Sequence, residues 1–316
     1  MENTCDQCLK KIQRDKMIWE IILKLYYEEC LKTNNQLEKA RLDNQKGAYW
    51  CRSKVNDIPQ DIFSAPKQRL VARFIKSYLN TTWNRIPAKE FINRTEQEKW
   101  FDEKDIISKI RPFCNLSTER KDKRDKRIVF LEKVLSLLGN LQLKDYAFNQ
   151  LQEANFEALS EAVDTEFENS TDNTKLPKSQ RVSSFEETII RQTEKPYRAI
   201  LKMQKILPGY GVALTCDFLK ESHLCNIAKP DVHLSHVFSV IDKIKYSMDL
   251  VLVKRIAEFA ENVGLSPNPD DFCNTGSYYI DKIIWMLCSR SKTEEDDNEI
   301  SSVKGELLNR IASFQE

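Results

Sequence analysis

Two of the seven glycines in this 316-residue chain stand two positions apart, in the segment 207–211 with the sequence LPGYG. The residues before it contain no helix breaker, and Pro196 suits the first position of a helix because its missing N–H would be unpaired there. Helical spacing of apolar residues resumes after Gly211 and continues to Glu221. The segment therefore predicts two helices joined by a short turn, with glycine where the backbone needs a positive φ or a close approach.

The predicted turn leaves amide groups unpaired at the start of its second helix, those of Gly209, Gly211 and Val212. Free N–H groups and the helix dipole together favour a phosphate oxygen at such a position. A plain helical hairpin with a Pro-Gly break explains the same residues without any ligand. Three lysines near the turn would add positive charge for phosphate binding, although lysines are by default surface residues: Lys202, Lys205 and Lys220.

Asp231 lies 20 positions after Gly211, in the sequence PDVH of residues 230–233. Residues 201–233 resemble the helix-hairpin-helix DNA glycosylase superfamily, the base-excision repair enzymes that include 8-oxoguanine and 3-methyladenine DNA glycosylases. In that family an L-P-G-x-G hairpin grips DNA phosphate, and an aspartate in a V-D-V-H or P-D-V-H sequence follows just under twenty residues later. The resemblance is specific over about 33 residues and weak elsewhere.

The resemblance implies that Asp231 is the catalytic carboxylate and that four residues of the hairpin bind DNA phosphate: Gly209, Gly211, Val212 and Ala213. Cleavage of an N-glycosidic bond builds positive charge on the sugar, which a nearby carboxylate stabilises while orienting the attacking water. The target base must first leave the stack. Asp231 also fits a helix N-cap, since it follows a proline and precedes a helical run, and the two roles are compatible.

Bifunctional members of the family carry a nucleophilic lysine two residues after the second hairpin glycine, where this chain has Ala213. Schiff-base lyase chemistry by that residue is therefore unavailable. We expect a monofunctional DNA glycosylase that uses water to release a damaged or modified base. Two alternatives stay open: a catalytically inactive glycosylase-fold protein that binds DNA, and a helical adaptor that uses the fold for protein contacts. A concave pocket beside Asp231 would favour the enzyme.

The scarcity of glycine and the long charged runs with apolar periodicity favour an all-α architecture over a sheet protein. Within it we expect a helix-hairpin-helix glycosylase-like domain at 116–290, an additional N-terminal helical region at 1–115, and a C-terminal tail or helix at 291–316. The polar stretch around 167–182 is predicted to be a mobile loop. In residues 9–45 an apolar stripe predicts one or two helices: Ile18, Ile21, Ile22, Leu25 and Leu31.

A second candidate DNA contact lies in residues 62–89, which contain no acidic side chain and interleave aromatic residues with cations. The candidate contacts are Arg69, Arg73 and Lys76, together with Lys205 near the hairpin. The same segment also fits a helix whose Leu70, Phe74 and Tyr78 face the core while its cations face water. Because the net charge is only +1, any DNA-binding surface must be a local patch.

The remaining features point to an intracellular protein, in the cytoplasm, nucleoid or nucleus. No apolar run approaches the roughly 18 residues of a membrane span, and the first 20 residues are too charged for a signal peptide. The nine cysteines include one C-x-x-C pair, Cys5 and Cys8, without the further ligands of a zinc site. His233 and His236, three apart, lack a third ligand nearby. We therefore expect DNA as the partner and no metal, small-molecule cofactor or membrane.

Overall fold

The computed structural model describes most of the two ends of the chain and little of its middle. The described residues are 2–45, 133, 137, 141, 151–171, 184–207, 210–247, 249–289 and 303–315. Arg69, Arg73 and Lys76 of the basic segment lie outside them, as does Gly209 of the hairpin. Every regular element within the described residues is a helix, and none of them forms a strand, which confirms the all-α prediction for this part of the chain.

The helices follow one another in a simple order, with a short 3-10 helix, Pro269–Asn274, between the eighth and the ninth. Their bounds are α1 Glu2–Lys32, α2 Gln36–Gln45, α3 Glu153–Thr171, α4 Ser184–Gln192, α5 Tyr197–Ile206, α6 Val212–Glu221, α7 Val232–Asp242, α8 Leu250–Asn262, α9 Gly276–Cys288 and α10 Val303–Phe314. The helical run expected after Asp231 is present as α7, and the C-terminal region expected to be a tail or helix contains α10.

The chain divides into two compact units. The first contains Met1–Tyr49, Asn149–Leu151 and Asn226–Glu316, and the second contains Trp50–Phe148 and Gln152–Cys225. Helices α1, α2 and α7–α10 therefore belong to the first unit, and α3–α6 to the second. The domain boundaries predicted after residues 115 and 290 fall outside the described residues and stay predictions.

The core of the first unit joins the N-terminal helix to the C-terminal helices. Ile18, Ile22 and Leu25 of α1 are fully buried. They share one core with apolar residues of α7–α10: Leu234, Val237, Phe238, Ile241, Leu252, Ile256, Phe259, Ile280, Ile283, Ile284, Leu287, Leu307 and Ile311. Burying each such side chain stabilises the fold by about 1.5–3 kcal/mol.

Leu31 does not belong to the predicted apolar stripe of α1, because its side chain is 75% exposed. It lies nine residues after the buried Ile22, which is two and a half helical turns, so the two side chains point to opposite faces of α1. An apolar residue at the wrong angular position cannot reach the core. The prediction for Leu31 was therefore wrong.

In the second unit α3 extends into the stretch predicted as a loop. The helix runs to Thr171, and its side chains at 156, 159, 163 and 167 are all buried, the last being Phe167. Their spacing of three, four and four residues continues one apolar face on which the helix packs against α5. The acidic composition of this stretch concealed that face. The loop prediction was wrong for 167–171, and residues 172–182 lie outside the described part of the chain.

Helix α9 begins at a glycine that the fold requires. Gly276 has a φ of +61°, and a Cβ atom there would lie 2.3 Å from Nδ2 of Asn226. The Asn226 side chain holds this position because its Oδ1 accepts a hydrogen bond of 2.9 Å from the amide of Ser277. Gly264, with a φ of +81°, has no heavy atom within 4 Å of such a Cβ.

This difference predicts unequal effects of alanine at the two glycines. Gly264→Ala should lower the free energy of unfolding by about 1–2 kcal/mol, the cost of a left-handed conformation. Gly276→Ala should cost about 1–3 kcal/mol more, because the new methyl group also displaces Asn226. Urea unfolding followed by circular dichroism measures both. Asn226→Ala should lower the free energy of unfolding less in the Gly276→Ala variant than in the wild type. Equal losses of stability for the two glycine variants would contradict the steric explanation.

Candidate functional site

The predicted helix–turn–helix is present in the second unit. Helix α5 ends at Ile206, and the amide of Leu207 closes it by donating 2.9 Å to the carbonyl of Met203. The side chains of Leu207 and Tyr210 are buried, and the amide of Tyr210 donates 3.0 Å to the carbonyl of Leu207. These contacts hold both sides of the turn against the unit, and Val212 then begins α6.

Gly211 is the N-cap of α6, and of the two roles predicted for a hairpin glycine, a positive φ or a close approach, its backbone does not adopt the first. Its φ of −71° and ψ of 177° are ordinary extended backbone, so no positive φ requires a glycine here. Among the described residues, no side chain caps the start of α6, and a Cβ atom at Gly211 would have no heavy atom within 4 Å. Within the described part of the chain, neither backbone conformation nor packing therefore demands a glycine at this position.

Two of the three hairpin lysines are not surface residues. Lys202 and Lys220 are each 3% exposed. Lys202 Nζ lies 2.9 Å from Asp164 Oδ1 and Lys220 Nζ lies 3.3 Å from Glu221 Oε1, so both cations are committed to carboxylates of the chain. Lys205, in the last turn of α5, is half-buried. Lys205 is thus the most accessible of the three for a DNA contact.

Asp231 is the N-cap of α7, as its context predicted. Its Oδ1 accepts hydrogen bonds from the amides of His233 at 2.8 Å and Leu234 at 3.0 Å. The side chain is half-buried, and its Oδ2 accepts no hydrogen bond from the described residues. The cap fixes the orientation of the carboxylate while one oxygen stays open to another partner.

Groups of α7, α9 and α10 lie near Asp231, among them His233 and Cys288. Burial lowers the pKa of the His233 imidazole, an effect that the negative charge of Asp231 partly opposes. The Nδ1 atom of His233 is buried and has no hydrogen-bond partner among the described residues. Nδ1 of the exposed His236 lies 2.8 Å from Lys304 Nζ, so the ammonium donates and the imidazole accepts. The neutral form of His233 is therefore favoured.

Metal ligands do not converge in the part of the chain that the structure describes. No group of three or more histidine, cysteine or acidic side chains there is placed to hold a metal ion. Cys5 and Cys8 are exposed free thiols on α1.

Two cavities of the first unit are formed by other residues than Asp231. One, of about 900 Å³, lies between α1 and α10. The other, of about 510 Å³, is lined by residues of α1, α7 and α8 and by Tyr246. Neither places a base-sized space beside Asp231.

The first unit also contains a buried charge network that was not predicted from the sequence. Asp15 is 0% exposed and Arg255 is 6% exposed, and Arg255 Nη2 lies 2.9 Å from Asp15 Oδ1. Arg255 Nε lies 2.8 Å from Asp242 Oδ2, and Nδ2 of Asn262 donates 2.8 Å to Asp15 Oδ2. Burial lowers the pKa of Arg255, but its hydrogen bonds to the two carboxylates outweigh burial and raise it above the usual range. Within the sequence, one local feature indicated that Asp15 is buried: it lies three and seven residues before the buried Ile18 and Ile22, on the same helix face.

Comparison with known proteins identifies no relative: no family model, no curated protein and no solved structure matches the chain. Within the described residues, no helix has both the length and the apolar character needed to cross a membrane. Two local features therefore carry the functional argument. The N-terminus of α6 belongs to the second unit, and the capping carboxylate of Asp231 belongs to the first.

Proposed function

We propose that this chain binds DNA through the α5–α6 hairpin and is a monofunctional DNA glycosylase that hydrolyses the N-glycosidic bond of a damaged or modified base. Gly211 carries the proposal. It is a glycine that neither its φ nor the described residues around it require, at a helix start that no described side chain caps. A ligand that must approach the backbone closely would explain a glycine at this position.

The ligand that suits this position is a phosphate. The first amides of α6, those of Val212 and Ala213 among them, have no intrahelical acceptor, and no side chain of the described residues supplies one. The helix dipole adds partial positive charge at the same end. Backbone amides at a helix N-terminus bind phosphate without reading sequence, which suits an enzyme that must inspect any stretch of DNA.

Asp231 has the properties that base release requires of a carboxylate. The α7 amides fix Oδ1, so the side chain is already oriented, and Oδ2 is free of hydrogen bonds from the described residues. Its negative charge would stabilise the sugar cation that forms as the base leaves, or orient the attacking water. Because position 213 is alanine, no Schiff base can form there, and the expected product is an intact strand with an abasic site.

A second candidate function is a DNA-binding protein without catalysis. The observation that favours it is that neither of the two cavities has Asp231 in its lining. In that protein Asp231 would act only as the N-cap of α7, while the hairpin would still bind phosphate. A helical adaptor, the third class that the sequence left open, would bind no DNA at all.

The hairpin contact predicts opposite effects of one substitution on stability and on binding. Gly211→Asp places a carboxylate where it caps the α6 amides, which should leave stability equal or higher by a few tenths, about 0.3 kcal/mol. The same carboxylate occupies the phosphate position and repels the DNA backbone, so affinity for a duplex oligonucleotide should fall about tenfold or more. Fluorescence anisotropy measures the affinity, and thermal unfolding measures the stability.

Gln192→Glu provides the matched control. It adds one negative charge at an exposed position at the end of α4, in the same unit but away from the start of α6. We expect its affinity to stay within about twofold of the wild type. A folded Gly211→Asp variant that binds DNA as tightly as the wild type would refute the hairpin contact. An equal loss of DNA affinity in both variants would show that the added negative charge acts without regard to position.

A further inference from the structure

The 510 Å³ cavity of the first unit collects positive charge. Its lining consists of Gln7, Lys10, Lys11, Arg14, Asp242, Tyr246 and Arg255, which is four cations and one carboxylate. The α1 residues stand at spacings of three and four, so they form one face of that helix. Arg255 brings the fourth cation from α8, deep enough to be 6% exposed.

The single carboxylate of the lining has no free acceptor to offer. Asp242 Oδ1 accepts from Arg14 Nη2 at 2.9 Å and from Arg255 Nη2 at 3.1 Å. Its Oδ2 accepts from Arg255 Nε at 2.8 Å and from the hydroxyl of Tyr246 at 3.1 Å. Both carboxylate oxygens of Asp242 are therefore used to hold the two guanidinium groups at the cavity wall.

The cations exceed the acidic groups that face them. Lys11 Nζ pairs with Glu258 Oε1 at 2.6 Å, and the buried Asp15 is shared by Arg14 and Arg255. Among the described residues, Glu258, Asp15 and Asp242 give three negative charges against the four cations of the lining, an excess of one. Lys10 is the exposed cation with no carboxylate at ion-pair distance among the described residues.

Hydrogen-bond donors are also in excess. Nη1 of Arg255 and Nε of Arg14 are buried without a hydrogen-bond partner among the described residues. Nη1 of Arg255 has only Glu258 Oε2 near it, at 3.8 Å, beyond hydrogen-bond distance. Surplus guanidinium donors favour an anion with several acceptor oxygens.

We infer that this cavity binds the phosphate group of a ligand through Lys10, Arg14 and Arg255. Two arginines oriented by a shared carboxylate match the fork geometry that phosphate oxygens prefer, and Lys10 supplies the compensating charge. The volume of about 510 Å³ falls within the range of small-molecule sites and leaves room for further atoms beside a phosphate group. The site lies wholly within the first unit and does not depend on the proposed glycosylase function.

Titration calorimetry of the full chain with inorganic pyrophosphate tests this inference, with fluorescence anisotropy of a duplex oligonucleotide as the second arm. We expect saturable pyrophosphate binding that weakens about fivefold in Lys10→Gln. Lys10→Gln leaves every ion pair of the network intact, so it should fold normally. Lys16→Gln, an exposed lysine of α1 outside the cavity lining, is the matched control and should bind within about twofold of the wild type.

The two arms distinguish the source of the phosphate. Loss of pyrophosphate binding in Lys10→Gln with unchanged DNA affinity supports a small phosphorylated ligand. Loss of DNA affinity in Lys10→Gln but not in Lys16→Gln supports the DNA backbone as the phosphate source. Absence of saturable binding in both arms overturns the inference, and so does an equal effect of the two lysine variants.

Discussion

Asp15→Ala is expected to lower the free energy of unfolding of the first unit by about 3–5 kcal/mol, because it leaves a buried guanidinium without one of its two carboxylates. Asp15 has no exposed surface, and it accepts from Arg255 at 2.9 Å and from Asn262 at 2.8 Å. Asp15 itself has no accessible surface where α1 packs on α8, and alanine supplies no acceptor in its place. Hydrogen exchange of the α1 and α8 amides reports the loss within this unit.

Two further variants separate the network from ordinary side-chain truncation. Asp6→Ala removes an exposed carboxylate from the same helix and should leave exchange unchanged. The double variant Asp15→Ala with Arg255→Met should lose less than the sum of the single losses, because removal of the arginine also removes the unpaired charge. Additive losses, or a loss in Asp15→Ala below about 1 kcal/mol, would show that the buried pair is not coupled.

Asp231→Asn is expected to reduce base release at least about 100-fold while leaving DNA binding and folding nearly intact. Asparagine caps helices about as well as aspartate, so the amides of His233 and Leu234 keep their acceptor. What disappears is the negative charge that would stabilise the sugar cation. Single-turnover release of the base, followed by alkaline cleavage of the abasic strand, measures the rate.

Asp249→Asn is the matched control for this prediction. Asp249 caps α8 in the same way, with its Oδ1 accepting from the amides of Val251 at 3.1 Å and Leu252 at 3.3 Å. The two variants therefore make the same chemical change at the same kind of helix position. Base release should be unaffected in Asp249→Asn. Full activity of the Asp231→Asn protein would leave Asp231 with the role of an N-cap alone.

The parts of the fold that were predictable are those with local signals. Pro196, the segment 207–211 and Asp231 mark helix ends through backbone chemistry that acts within a few residues, and helices are present at each. The length of a helix was harder to predict. Helix α3 continues through a polar stretch because one of its faces stays buried as far as Phe167.

What the sequence could not show depends on distant contacts. Asp15 and Arg255 are 240 positions apart, and only packing of α1 against α8 makes a buried aspartate stable. Lys202 and Lys220 were expected on the surface, but each forms an ion pair with a carboxylate of its own unit. The conformation of Gly211 was equally out of reach, because a glycine in a turn predicts either a positive φ or a close approach and the sequence cannot separate them.

Incubation of the wild-type protein with duplexes that each carry one damaged base tests the proposed glycosylase activity. At least one lesion should be released, abasic sites should accumulate, and strands should break only after alkali treatment. Borohydride should trap no protein–DNA adduct through residue 213, since alanine cannot form a Schiff base. Release of no base from any lesion would contradict the enzymatic claim, and DNA binding that depends on Gly211 would then identify a non-catalytic DNA-binding protein.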